Sequence, residues 1–213
     1  MPYVKSIYLQ YTTRLRQNGF YSVLRKCESW NLHNNNGMEE NGKGLLNGHE
    51  YVNLGLSVMW ATCNIGADSP EEYGDYYVRG ETKTKEEYTK ENCETYNKNI
   101  GDIAGMDRDV AHVKWGLPWR MPTKAEFNEL KHNCDWEWTR LNGVEGRKVT
   151  SRKNGNWIFL PATTGEHSGD DYFYAVHEID DQGAYYLRIG GRNHGIHWDG
   201  CRRERYFRPV LEF

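Results

Sequence analysis

Six arginines fall within the last 26 residues of the chain: Arg188, Arg192, Arg202, Arg203, Arg205 and Arg208. Asn193, His194, His197, Trp198, Asp199, Glu204 and Tyr206 are interleaved with them. Arg, Trp and Tyr dominate binding hot spots because they combine a large rigid area with directed polarity. Gly190, Gly191, Gly195 and Gly200 permit sharp turns that would gather these side chains on one face. The expected ligand-binding set is therefore Arg188, Arg192, Asn193, His194, His197, Trp198, Asp199, Arg202, Arg203, Glu204 and Tyr206. Arg202 and Arg203 beside Tyr206 suit an anionic group such as a phosphate, a carboxylate or an acidic glycan. Tyr172, Tyr174 and His177 would flank the same surface. The competing reading is a solvated, charged β-hairpin with no partner. Arg208 in FRPV and Arg120 in PWRMP lie in apolar contexts instead. There, a guanidinium is expected to be buried and to hold loops by forked hydrogen bonds to carbonyls or carboxylates.

Other chemistry finds little support. His194, His197 and Asp199 spell H-x-x-H-x-D. Neither helical nor strand spacing brings all three to one side, and no further ligand is evident, so no metal site is expected. No GxSxG, P-loop or zinc-protease motif is present, and neither a catalytic residue nor a cofactor is expected. The five cysteines, Cys27, Cys63, Cys93, Cys134 and Cys201, are widely spaced without a CxxC, which argues against zinc. Either Cys63 bridges Cys134 or the thiols are free and buried. A net charge of −3 supplies no global field for nucleic acid or a membrane surface. No apolar run reaches the roughly 18 residues that a membrane span needs.

The elements that must position the C-terminal segment are legible in outline. Aromatics make up 14 % of the chain, with 8 Trp and 15 Tyr, which excludes a disordered composition. Trp60, Trp115, Trp119, Phe127, Trp136, Trp138, Trp157, Phe159 and Leu160 are expected to fill the core. The 22 glycines suggest short strands and tight turns. YVNLGLSVMWATCNIG reads as strand, with Val52, Leu54, Leu56 and Val58 alternating. Residues 67–105 read as a long loop excursion, and DRDVAHVKWG as a short helix. Thr123 and Glu126 form a capping box for a helix with apolar positions at Ala125, Phe127 and Leu130. Short strands follow in GRKVTSR, NWIFLPA, AYYLRIG and RYFRPVLEF. A helix early and strands late, without βαβ alternation, gives an α+β class with short antiparallel strands, one or two helices and long loops.

Three regions are expected: a helical extension over residues 1–30, a linker over 31–49 and a domain over 50–213. In the extension, Val4, Ile7, Tyr8, Tyr11 and Leu15 keep helical spacing, resumed at Phe20, Val23, Leu24 and Cys27. Lys5, Arg14, Arg16, Arg25 and Lys26 occupy the other side. Such a helix packs on the domain, or on another subunit to make an oligomer; the alternative is a basic amphipathic arm. The N-terminus lacks the apolar stretch of a secretory signal. A cytoplasmic or phage-associated location is expected, with cell-surface display as the alternative, unless the natural start lies elsewhere.

Several blocks, taken in order, resemble a known group. They are YVNLGLSVMWATCNIGA, PEEYGDYYVRGET, WGLPWRMPTKAEFNEL, NGVEGRKVTSRKNGNWIFLPA and FRPV. Together they are similar to the Fibrobacter succinogenes major paralogous domain family of gut Bacteroidetes and Fibrobacter, over about residues 48–213. The resemblance implies a C-type-lectin-like fold in the branch shared with formylglycine-generating enzyme. That branch also holds the variable proteins of diversity-generating retroelements, whose C-terminal segment is hypermutated at adenines and displayed on a fixed scaffold. The implied partners are unknown proteins or glycans on bacterial or host surfaces. The terminal RPV matches the unvaried end of such segments. IGGRNHGIHWDGCRRERY departs most from the family pattern, and YFYAVHEID stands where members carry a YWSS-like stretch. A cell-surface paralogue without hypermutation is the alternative. Oxidase chemistry of the formylglycine type needs a cysteine pair near the C-terminal end, where Cys201 stands without a neighbour. The EPN, QPD and WND motifs of calcium-dependent sugar binding do not occur.

Overall fold

A computed structural model describes residues 42–96, 98, 100–162, 172–180, 183–190, 194–199 and 205–212, with 172–180, 183–184, 198 and 199 described as backbone. The helical extension expected over residues 1–30, and with it the expected oligomer contact, lies outside these residues. So does the linker as far as residue 41.

The first strands occupy the stretch expected to end the linker. β1 (Lys43–Leu46) and β2 (His49–Val52) pair antiparallel, with Lys43 opposite Val52 and Leu46 opposite His49. Asn47 and Gly48 close the hairpin at φ 53° and 83°, as a two-residue turn with both residues left-handed requires. The turn signal is present in LLNGHEYV, but the Asn- and Gly-rich residues before it make the whole stretch look like a connector. The strand expected from Tyr51 onward is broken. β2 stops at Val52 and β3 (Met59–Ala61) starts afresh. Between them the Asn53 side chain accepts from Gly55 N–H at 2.7 Å, and Gly55 adopts φ 68°. The apolar alternation is nevertheless used, because Leu54 and Val58 both reach the core.

The remaining elements are α1 (Val110–Trp115), β4 (Trp119–Arg120), α2 (Lys124–Asn133), β5 (Cys134–Leu141), β6 (Val144–Ser151), β7 (Trp157–Pro161), β8 (Tyr172–Asp180), β9 (Gly183–Ile189), β10 (His194–Asp199) and β11 (Val210–Leu211). The α+β class is as expected: the described residues form two short helices and antiparallel strands in three sheets. Their orders are β1-β2-β3-β11-β4, β5-β6-β7 and β10-β9-β8. A second Asn-Gly pair, Asn142 and Gly143, closes the β5–β6 hairpin at φ 48° and 88°. No helix among the described residues is long and apolar enough to cross a membrane.

The five-stranded sheet divides the core by strand alternation. Val52, Trp60 and Val210 stand opposite one another in the ladder and join Phe127, Leu130, Val149, Leu160, Leu187 and Ile189 in one cluster. Tyr51, Ala61 and Leu211, one residue along, join Trp115, Trp119, Met121 and Phe207 in the other. Each fully buried large side chain contributes roughly 1.5–3 kcal/mol. The expected core is corrected at three tryptophans. Trp136 and Trp138 are only partly buried, and Trp157 is 41 % exposed with the Lys148 ammonium 5.1 Å from its ring. Residue 157 begins β7, and burial sets in only from Ile158 onward.

The capping box of α2 forms as the sequence predicts. Glu126 N–H donates to Thr123 Oγ1 at 3.2 Å, and Thr123 N–H donates to Glu126 Oε2 at 2.7 Å. Phe127 and Leu130 are fully buried, but Ala125 faces solvent. Glu126 takes the buried place because Arg120 meets it there, at 2.9 and 2.5 Å, while also binding Glu212. Burial pushes the Glu126 carboxyl up, yet the Arg120 guanidinium and the Thr123 bonds outweigh it and leave a lowered value. Glu126 therefore contributes stability that is fully present above the ordinary glutamate value of 4.5 and is lost as pH falls through the lower native one. Glu126→Gln is expected to flatten the acid limb of a stability-versus-pH curve below that value. An unchanged acid limb in urea titrations would show that the pair carries no such linkage.

Cys63, Cys93 and Cys134 are free thiols, so the Cys63–Cys134 bridge is not formed. Cys134 is buried, which pushes its thiol up to about 11 and removes the reactive thiolate. Cys27 and Cys201 lie outside the described residues.

Candidate functional site

The C-terminal sheet is built from β9 at its centre, with Arg188 opposite Gly195, Leu187 opposite Ile196, and Tyr186 opposite His197. Strand alternation assigns these positions to two faces. Leu187 and Ile189 are completely buried and pack into the main core cluster. Tyr186, Arg188 and His197 therefore occupy the opposite face. His197 is exposed there, and its ring stacks on Tyr186 at 5.8 Å. The Arg205 guanidinium covers the same tyrosine at 4.0 Å. Arg205 is held by a backbone bridge to Tyr77, with N–H to O distances of 2.9 and 3.0 Å in the two directions. Tyr186 and Arg205 are themselves buried, so this face presents the exposed His197 and the half-buried Arg188, with the core behind them.

His194 pairs with Ile189 and so belongs to the core side of β10, three positions from His197 and on the other face. Its ring stacks on Trp136 at 4.3 Å with the planes 10° or less from parallel, at 9°. Burial, and then the positive charges of Arg147 and Lys131, push its imidazole down to about 4. His197 is also lowered, by burial first and then by Arg188 and Lys131. The imidazoles are thus neutral donors near pH 7 in a positively charged setting. The spacing H-x-x-H-x-D does not converge on one face.

Arg147 fastens this sheet to its neighbour. Its Nε donates to Gly190 O at 3.1 Å, with Nη2 donating to the same oxygen, and its Nη1 donates to Trp136 O at 3.3 Å. Its guanidinium also lies 5.4 Å from the Trp138 ring. Gly190, directly after β9, is thereby clamped to β5 and β6. Beside the clamp, Trp136 Nε1–H is buried and has no acceptor. An unmade hydrogen bond of that kind costs about 1–3 kcal/mol.

The expected contact residues separate into three groups. Arg188 and His197 lie on the outer face, and His194 sits at the Trp136 corner. Trp198 and Asp199 hold the last positions of β10, opposite Tyr185 and Ala184. Tyr206 is corrected: only 6 % exposed, it belongs to the core, its ring 4.6 Å from Tyr76 and 5.9 Å from Tyr73. Aromatic character marks both hot spots and cores, and the residue two before Arg208 goes with the core. Arg192, Asn193, Arg202, Arg203 and Glu204 lie outside the described residues. The flanking Tyr172 and Tyr174 pair with Ile189 and Leu187, the core-facing register positions, and His177 falls in the irregular stretch between Ala175 and Ile179.

The sequence reading missed Tyr186, Lys131, Trp136 and Arg147 as neighbours of this surface. The alternation in AYYLRIG carried the signal for Tyr186, since Leu187 and Ile189 alternate with it. Nothing local places Arg147 against Gly190, 43 residues away. No family model, curated protein or solved structure matches the chain.

Proposed function

We propose that the chain is a non-enzymatic binding protein that displays its C-terminal segment to a cell-surface or phage-receptor target, a protein or a glycan. On this reading it is the variable protein of a diversity-generating retroelement, with a C-type-lectin-like scaffold. The observation that carries the reading is the two-faced C-terminal sheet. Leu187 and Ile189 lock one face into the core, while Arg188 and His197 stand on the other. Side chains on such a face can change without disturbing the core beneath them, which is what a display surface requires. Two arginines support the division, Arg147 tying Gly190 to the neighbouring sheet and Arg208 tying the end of the segment to the core.

The segment is tested by replacing Arg188 and His197 of this face, together with Arg202 and Arg203 of the expected contact set, with Ala. The unfolding midpoint is expected to move by no more than about 3 °C, the scale of surface substitutions. Binding in a glycan and bacterial-surface screen, run beside the unaltered chain, is expected to disappear. Retained binding would remove this face from the function, and a large loss of stability would mark the four side chains as structural. Hypermutation has its own check in the neighbouring DNA. A reverse transcriptase and a near-copy of the C-terminal coding segment, differing at adenines, are expected there, and a complete locus without them refutes the retroelement assignment.

A further inference from the structure

At the corner where β10 passes the β5–β6–β7 sheet, a buried indole N–H without an acceptor lies against an imidazole ring. The Trp136 indole N–H is buried and unpartnered. The His194 ring lies flat against that indole at 4.3 Å. The Lys131 ammonium, from the last turn of α2, acts on both His194 and His197 and enters no ion pair among the described residues. Behind them stands Arg147, its guanidinium turned to Gly190 O and Trp136 O. The charges on described residues that act on the two imidazoles, from α2, β6 and β9, are all positive. Buried polar groups in folded proteins find partners, so an orphaned donor within a cationic cluster marks a place made for something else.

We propose that this corner is a subsite for an oxyanion group of the ligand, held by the Trp136 Nε1–H, the His194 imidazole and the Lys131 ammonium. The proposal rests on the reading of the C-terminal surface as ligand-binding, and it names the chemistry that surface selects. An oxyanion offers several lone pairs to the indole and ammonium donors, and its charge offsets Lys131. A cation would be repelled by Lys131, and a neutral hydroxyl would leave the charge of that ammonium unmatched. The His194 ring lies face to face with the indole, whose N–H points out in the ring plane. An anion accepting from that N–H favours a protonated imidazole beside it.

Inorganic anions test the corner without knowledge of the natural ligand. The His194 ring resonances are followed by NMR near pH ~5 in about 50 mM sulfate, in acetate and in chloride, all at equal ionic strength so that screening is constant. With its ordinary value pushed down to about 4, His194 is roughly one-tenth protonated in chloride under those conditions. In sulfate or acetate the protonated share is expected to rise to about half, an upward shift of ~1 unit. The His197 ring, on the opposite face, serves as the reference and is expected to follow chloride in every arm. A response to sulfate alone identifies a tetrahedral group, and a response to acetate alone a carboxylate; either supports the subsite. Trp136→Phe preserves a ring for the stack and removes the N–H, and Lys131→Gln is a surface change with little bearing on folding. Each is expected to cut the anion-dependent shift severalfold. A His194 response no larger than in chloride, or one unchanged in both variants, overturns the proposal. Target binding retained by the quadruple alanine variant, with the sulfate response intact, would refute the display reading and leave the anion subsite standing.

Discussion

Arg208→Met is expected to lower the unfolding midpoint by about 10 °C, and to do so without touching the outer face of the C-terminal sheet. Arg208 is completely buried. Its Nε donates to Asn64 Oδ1 at 2.8 Å, Nη1 to Ala61 O at 3.1 Å and to Thr62 O, and Nη2 to Phe159 O at 3.0 Å. One planar fork thus satisfies the end of β3, the residues after it and the middle of β7. Met fills comparable volume but donates nothing, and each acceptor left dry costs about 1–3 kcal/mol. Partial relaxation brings the total to roughly 3–5 kcal/mol, the usual cost of breaking a buried charged network. At about 2–4 °C per kcal/mol for a domain of this size, that becomes the shift stated above. Arg208→Lys is expected to recover only part of it, because an ammonium cannot reach three directions in one plane. Thermal unfolding by circular dichroism gives the answer. A shift under about 3 °C for the Met variant would mean that the carbonyls find other donors.

Asp109→Ala is expected to cost a similar amount through the opposite chemistry. Asp109 is a buried acceptor ringed by donors. Its Oδ1 accepts from Ala111 N–H at 2.9 Å and from His112 N–H at 3.4 Å, capping α1. Its Oδ2 accepts from Gly105 N–H at 2.8 Å and from Met121 N–H at 2.9 Å. The side chain therefore joins the end of the long loop, the start of α1 and the strand exit after β4. Alanine strands all four N–H groups, whereas Asn keeps one carbonyl oxygen and loses the pair on the other side. The expected order of stability is wild type above Asp109→Asn above Asp109→Ala, with about 3 kcal/mol or more lost in the last. Equal stability of all three by urea unfolding would refute the account. Burial pushes the Asp109 carboxyl up against the pull of its four donors. The native state then holds this proton more readily than the unfolded chain does, so stability from this group falls as pH rises through the window between the two values. Acid unfolding accordingly begins elsewhere, at groups such as Glu126 whose native value is lowered.

These residues show what a sequence reveals before a structure exists. The capping box at Thr123 and Glu126 is local, so three residues' spacing was enough to find it. Arg208 was legible because a cation in FRPV must either surface or find several acceptors. Its partners were not, since they lie 49 to 147 residues away. β1 was hidden because Asn and Gly serve both hairpin turns and connectors. The break after Val52 was hidden because an apolar alternation survives when a loop, rather than a strand, feeds the core. On the surface, the incompatibility of His194 with His197 followed from their spacing alone. Tyr206 misled, as composition cannot distinguish an aromatic anchor for a ligand from one for the core. Trp136, Lys131 and Arg147 come from other elements, and no pattern within the last residues points to them.

β11 has a bearing on synthesis. Although it follows every other described strand in the chain, it lies between β3 and β4, with Val210 opposite both Trp60 and Arg120. A nascent chain emerging from the ribosome can form its early hairpins, but the sheet dividing the two core clusters stays open until Val210 and Leu211 arrive. Any shift of reading frame or premature stop upstream removes those residues and leaves both clusters unsealed. Chains cut short before Val210 are thus expected to stay incompletely folded and to be cleared by proteolysis.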